Sequence, residues 1–346
     1  MVTIRRCQTA DVADVLAFLD AHWKPGHIFT IERGLFEWQY AMPDRPGEYS
    51  IVIARRDHDS ALLGMLGYVE TRRFDPALAG DNSIWLALWK VRDDIAAGPL
   101  GLRLLAFLTD NEPHASLGVI GFQPAAGAIY KALKFEVGRL QQYVLPNPDL
   151  PEFTLASFAH TPVRPVRDDG LTAIVVDQAS FDSAVDGLTL GPRDAQIPHK
   201  TPGYFRARYL QHPIYRYTTF VVRRQSHPIG LLATRVATHH DRRALRVIDF
   251  IGPEDAIAGL GALVLAEIRR LGAEYADVHN WGIDPALFEA AGFSPVDPEG
   301  ADIVPNHFEP FERRNAPVRF ALKTNRSAVL FKGDGDQDRP NQSPNR

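Results

Sequence analysis

Cysteine is the scarcest residue in this chain: Cys7 is the only one among 346 residues. An intrachain disulfide is therefore impossible, and a cysteine-built metal site has no ligands to draw on. No spacing of histidines and carboxylates suggests a metal site either. No apolar run approaches the roughly 18 residues that a membrane helix needs. The first residues, Met1-Val-Thr-Ile-Arg-Arg6, lack the apolar stretch of a secretion signal. Lysine and arginine are not clustered and the net charge is −4, so a nucleic-acid partner is not expected. From these absences we expect a cytoplasmic protein that inserts nothing into a membrane. They leave its oligomeric state open.

What is present is enough chain for two cores. The order of apolar patterns predicts β-α-α-β-β-β-α-β-α-β over the first 145 residues. Its centre is a buried strand at 84–91, a turn Gly98-Pro-Leu-Gly101, a helix from Leu102, an apolar strand at 115–120 and the segment Ile129-Tyr-Lys-Ala-Leu-Lys-Phe135. A last strand is expected at 136–145. The proline-dense run Leu145-Pro-Asn-Pro-Asp-Leu-Pro151 can continue neither a helix nor a central strand. It opens a linker at 149–165.

The second half then repeats the first. Phe36-Glu-Trp-Gln-Tyr40 matches Phe205-Arg-Ala-Arg-Tyr209, Gly98-Pro-Leu-Gly101 matches Gly259-Leu-Gly261, and Tyr130 to Phe135 matches Phe288 to Phe293. The motifs keep their order at a domain-sized period, which marks a duplication and not a solenoid. The reading is a mixed α/β fold of two tandem domains, 1–148 and 166–330, each a mostly antiparallel sheet with helices on both faces. The tail, 331–346, is rich in Gly, Asp, Pro and Asn and is expected to be disordered.

A strand that runs into a glycine turn at a helix start suits a phosphate. That series of elements resembles the acyl-CoA-binding core of the GNAT acetyltransferases, twice over. The resemblance implies acetyl-CoA as cosubstrate and transfer of its acyl group to an amine. Trp23-Lys-Pro-Gly-His27, Leu35 to Tyr40 and Val304 to Pro310 look like GNATs of bacterial surface-polysaccharide and amino-sugar pathways, so the resemblance implies an amino-sugar acceptor, possibly nucleotide-linked. The aminoacyl transferases of the peptidoglycan-bridge type share the duplicated architecture and are one alternative. A non-catalytic nucleotide-binding regulator of a glycan pathway is another. The family places Arg or Gln ahead of its glycines, whereas Ala96 and Ala97 stand there in the first half and Asp255-Ala256 in the second. Pro99 has no N–H to offer a phosphate.

By this resemblance the cosubstrate contacts fall on Val91, Gly98, Leu100 and Gly101, and on Gly259, Leu260 and Gly261 of the second half. Tyr130 stands where similar enzymes carry the acid that protonates the leaving thiolate, and Phe288 replaces it in the second half. That favours the first half as catalytic. Candidate bases are His27, in a loop where imidazole titrates near neutral pH, and Glu37 on the next helix. Aromatics and arginines crowd 204–217, and Arg208 and Tyr217 are the residues there best suited to a sugar or nucleotide diphosphate. His279 and Asn280, at a strand end, join them as acceptor contacts. Asp249 interrupts the apolar strand Val247-Ile-Asp-Phe-Ile251 and is read as facing solvent.

Overall fold

The structure is a computed structural model, and it describes residues 1–95, 97–191 and 197–343. In chain order the first half comprises β1 (Val2–Gln8), α1 (Val12–His22), α2 (Ile28–Ile31), α3 (Arg33–Tyr40), β2 (Glu48–Arg56), β3 (Leu62–Glu70), α4 (Thr71–Phe74), β4 (Ser83–Val91), α5 (Ala97–Asn111), β5 (Ser116–Ile120), α6 (Gly127–Ala132), β6 (Glu136–Arg139) and β7 (Gln141–Pro146). The second comprises β8 (Leu171–Val176), α7 (Phe181–Ala184), α8 (Pro202–Phe205), β9 (Tyr217–Arg224), β10 (His227–His239), β11 (Arg242–Ile251), α9 (Ile257–Leu271), β12 (Tyr275–Trp281), α10 (Pro285–Ala290), β13 (Ser294–Pro295), β14 (His307–Phe308), β15 (Phe311–Glu312), β16 (Arg319–Lys323) and β17 (Leu330–Phe331).

Residues of a strand alternate between its faces, and β2 shows what that achieves here. Val52 and Ala54 pack with Leu104 and Leu108 of α5, while Ile51 and Ile53 pack with Val15, Leu19 and Phe36 of the helices opposite. Both faces of the sheet are thus covered, and every residue of β3 is buried. The same plan recurs in the second half, where α9 covers β11 and β12. That helix stops at Gly272, whose φ of 60° is the left-handed conformation that closes a last helical turn.

Two mixed sheets result. One runs β1-β2-β3-β4-β5-β16-β6 and the other β13-β7-β12-β11-β10-β9-β8, with β17 added to β12. In each, a single pair is parallel, β4 with β5 and β11 with β12, and the rest are antiparallel. The halves exchange strands. The predicted strand at 136–145 is two strands: β6 stays in the first sheet, and β7 crosses into the second between β12 and β13. In return β16 enters the first sheet between β5 and β6. The break falls at Leu140, which is buried and donates its N–H to Val318 O at 2.9 Å. A shared core joins Trp85, Phe74 and Ile120 of the first half to Tyr204, Phe205, Val221 and Ile248 of the second. Boundaries at 148 and 166 therefore do not partition the sheets.

Candidate active site

The parallel pair of the first sheet is short. β4 and β5 pair over Ser83/Ser116, Ile84/Leu117 and Trp85/Gly118, and then part. Gly118 permits the fork, because a Cβ there would lie 2.7 Å from the Trp85 ring. From Leu86 to Val91, β4 is bonded to β3 alone, so its other edge offers amide groups with no strand partner among the described residues. Between the arms lies a cavity of about 590 Å³. Leu86, Ala87, Trp89 and Val91 form one wall, Val119 and Phe122 the other, and Tyr130 closes it. Its lip is apolar and open to solvent: Trp23, Leu102 and Ile129 are 42%, 44% and 49% exposed.

Tyr130 is held by rings, with Phe122 at 5.0 Å, Phe135 at 5.4 Å and Trp89 at 6.2 Å between centroids. Burial pushes its hydroxyl up to about 12, so it keeps its proton at neutral pH. Gly101 brings α5 close to this wall, since a Cβ there would stand 3.3 Å from Trp89 Nε1. Leu100 turns into the core, and Val91 ends the wall. Gly98 lies in the first turn of α5, a helix of 15 residues whose N-terminal amides and dipole favour an anion. The nearby cations are already occupied: Lys90 pairs with Asp93 at 2.6 Å, and Arg92 with Asp94 at 2.7 Å.

The second half forks in the same way and then fills the fork itself. β11 and β12 pair in parallel from Ala244/Tyr275 to Val247/Val278. Beyond that point β17 enters, pairing Phe331 with Asn280 and Leu330 with Trp281. Asn280 Nδ2 donates to Leu330 O at 2.9 Å, and Gly333 N donates across to Ile248 O of β11 at 2.9 Å. Outside this plug a second cavity of about 590 Å³ remains, bordered by Phe250, Gly252, Glu254, Ile283 and Phe331. Acidic Glu254 and Asp255 precede α9, where a phosphate would need cations.

No protein-family model and no curated protein matches the sequence. Solved structures do resemble it. A GCN5-related N-acetyltransferase from Anabaena variabilis superposes with a TM-score of 0.56 at 10% identity, covering 93% of this chain and 72% of that one. The chain has the GNAT fold. Looser likenesses are a GCN5-related N-acetyltransferase from Kribbella flavida (TM-score 0.49, 11% identity, 94% and 71% covered) and Saccharomyces cerevisiae N-myristoyltransferase with bound myristoyl-CoA (0.48, 9%, 93% and 78%).

Within this GNAT fold several sequence-based assignments change. Gly259 and Gly261 lie near the start of α9 and are tightly packed: a Cβ on Gly259 would meet Leu171 at 2.8 Å and one on Gly261 would overlap Ala291 O at 1.8 Å. They are packing glycines, and Leu260 between them is core. Phe288 stacks on Tyr143 at 4.4 Å. His27 is a helix cap: its Nδ1 accepts the Phe29 N–H at 3.3 Å, and burial with nearby Arg339 and Lys24 lowers it to about 3. Its Nδ1 lone pair is thus engaged, and His27 does not line the cavity. Glu37 is engaged by Arg33 Nε at 2.8 Å and Tyr49 at 3.2 Å and does not line the cavity.

The acceptor residues are not open to solvent either. Arg208, His279 and Asn280 are buried, and Tyr217 is half-buried. His279 sits 3.6 Å from Asp277, and burial lowers it to about 3. The tail expected to be disordered covers Arg208 and Tyr217. Arg208 donates to Gly335 O at 2.7 Å, and Tyr217 to Asp338 Oδ2 at 2.7 Å. Asp249 faces inward, fully buried, accepting from Lys200 Nζ at 2.6 Å and Tyr209 at 2.7 Å. Lys200, Arg235, Trp85 and Trp89 were not read from the sequence. The carboxylate inside an apolar strand was the one signal that a buried cation must exist to meet it.

Proposed function

We propose that the protein is an acyl-CoA-dependent acyltransferase, with the donor in the first-half fork and acetyl as its acyl group. The open fork carries the reading: an apolar cavity beside an unpaired strand edge, ending at a long helix N-terminus. Residues present fit such a donor in part. Leu86 to Val91 offer N–H and C=O groups to its amides, Trp89, Phe122 and Val119 offer apolar walls, and the start of α5 faces the phosphates. The missing Arg and the paired Lys90 and Arg92 make the phosphate end weak. Bound acetyl-CoA would supply a thioester carbonyl for attack by an uncharged amine. Amide N–H groups of β4 just past the fork would stabilise the oxyanion; as the C–S bond breaks, Tyr130 would give its proton to the thiolate and recover one from the nitrogen that becomes the amide. The acceptor is an amine, and an amino sugar is the candidate drawn from the sequence.

Calorimetry with acetyl-CoA tests the donor site. Binding to the intact protein is expected, and Gly101→Asp should abolish it by adding bulk and negative charge against Trp89. Equal affinity in the variant would remove the donor from this fork. Thiol release with a panel of amines, amino sugars and peptides included, then identifies the acceptor.

A further inference from the structure

From Lys332 to Ser343 the chain has no apolar side chain except Pro340. Residues 332–335 are nonetheless buried, as are Asp338 and Pro340. Their burial rests on polar contacts, and each aspartate meets a different part of the molecule. Asp334 lies 2.8 Å from Lys200 Nζ. Asp336 accepts from Gln39 Nε2 of α3 at 2.7 Å. Asp338 accepts from Arg235 Nη2 at 2.7 Å and Nε at 3.1 Å, and from the Tyr217 hydroxyl. Arg208 holds the backbone instead, donating to Gly335 O and, at 3.4 Å, to Gly333 O. It forms no ion pair among the described residues and lies over the Trp38 and Phe74 rings. The passage is tight: a Cβ on Gly333 would stand 2.5 Å from the Tyr209 hydroxyl.

The passage leads to the fork. Gly335 lies on Trp85, the last residue of β4 paired with β5, and the Gln337 side chain lies on Gly121, which borders the cavity. Trp85 Nε1 is buried there without a hydrogen-bond partner. An acceptor that approached the inner end of the fork from between the halves would meet residues 335–337.

We propose that this passage is a binding site for an acidic peptide, that residues 333–338 are its intramolecular occupant, and that they must withdraw before an acceptor enters. The last clause rests on the acyltransferase reading; the binding site does not. Burying ion pairs gains little net free energy, because desolvation offsets most of the attraction. A segment held this way, without apolar anchors, sits near the low-stability end of the structure. Removed, it leaves Lys200, Arg208 and Arg235 facing a cavity shaped around a peptide backbone. A peptide is favoured because backbone carbonyls, a backbone N–H and carboxylates are all recognised.

The test uses a fluorescein-labelled peptide with the sequence of residues 332–339 and a chain ending at Phe331. The shortened chain should bind the peptide, and the intact chain at least about tenfold more weakly, because its own tether competes at millimolar effective concentration. The same peptide with all three Asp changed to Asn should not bind. A folded shortened chain that ignores the peptide, or equal binding by both chains, overturns the site. If the shortened chain does not fold, hydrogen exchange on the intact protein decides. Amides 332–343 should exchange far faster than those of β3 and β10, and faster still in Asp338→Asn; protection equal to the strands overturns the proposal. Neither readout involves acyl-CoA. Faster thiol release by the shortened chain supports withdrawal, and peptide binding without any thiol release would sink the acyltransferase reading while leaving the site.

Discussion

At Tyr130 the ring and the hydroxyl have separate duties. The ring packs on Trp89, Phe122 and Phe135, and the hydroxyl alone can serve the reaction. Tyr130→Phe should therefore leave the denaturation midpoint and donor affinity nearly unchanged while lowering kcat by about 10² to 10⁴. An unchanged kcat would show that water or another group protonates the thiolate. Its position at the cavity wall was legible, because its place in the motif fixes the element that carries it. His27 and Glu37 were misread for the opposite reason: type and position suit a base, but the partners come from elsewhere in the chain. The Phe29 amide takes the imidazole lone pair of one, and Arg33 and Tyr49 occupy the carboxylate of the other. Asp249 failed in the same manner, its cation lying 49 residues away in sequence.

Among the elements, α9 shows how one motif carries different physics in its two copies. In the first half Gly101 sits at a cavity wall, where a Cβ would press on a Trp side chain that borders open space. In the second half Gly261 faces the backbone of Ala291, which cannot give way without moving α10. Gly261→Ala should thus destabilise the protein by about 2–3 kcal/mol or more, as overpacking does, whereas Gly101→Ala should cost far less. Chemical denaturation of both variants checks this, and equal midpoints would refute the packing role. Strands and helices were readable because each is set by periodicity within a short window. Strand partners are set across the fold, so the sequence could place a strand at 136–145 without showing that it splits at Leu140. The tail was misjudged likewise. Its composition predicts disorder only if nothing waits to pair with its aspartates.

For the whole molecule, the exchange of β7 and β16 joins the two sheets into a body that neither half can form alone. Residues 1–148 expressed by themselves would lack β16 between β5 and β6, and would expose the β5 edge together with apolar Leu117, Val119 and Ile120. Such an edge pairs with other copies, so this fragment should be aggregated or only partly folded by gel filtration and circular dichroism. A soluble, cooperatively unfolding fragment would refute that. The exchange also bears on biosynthesis. Synthesis proceeds from the N-terminus at about 5–20 residues per second, and residues 319–323 emerge only after almost all of the second half. The first sheet must wait, open at β5, for many seconds on the ribosome, while β7 waits a shorter time for β12. The first sheet therefore cannot be completed as its half emerges, and it is exposed to chaperones and misassembly until β16 has been made.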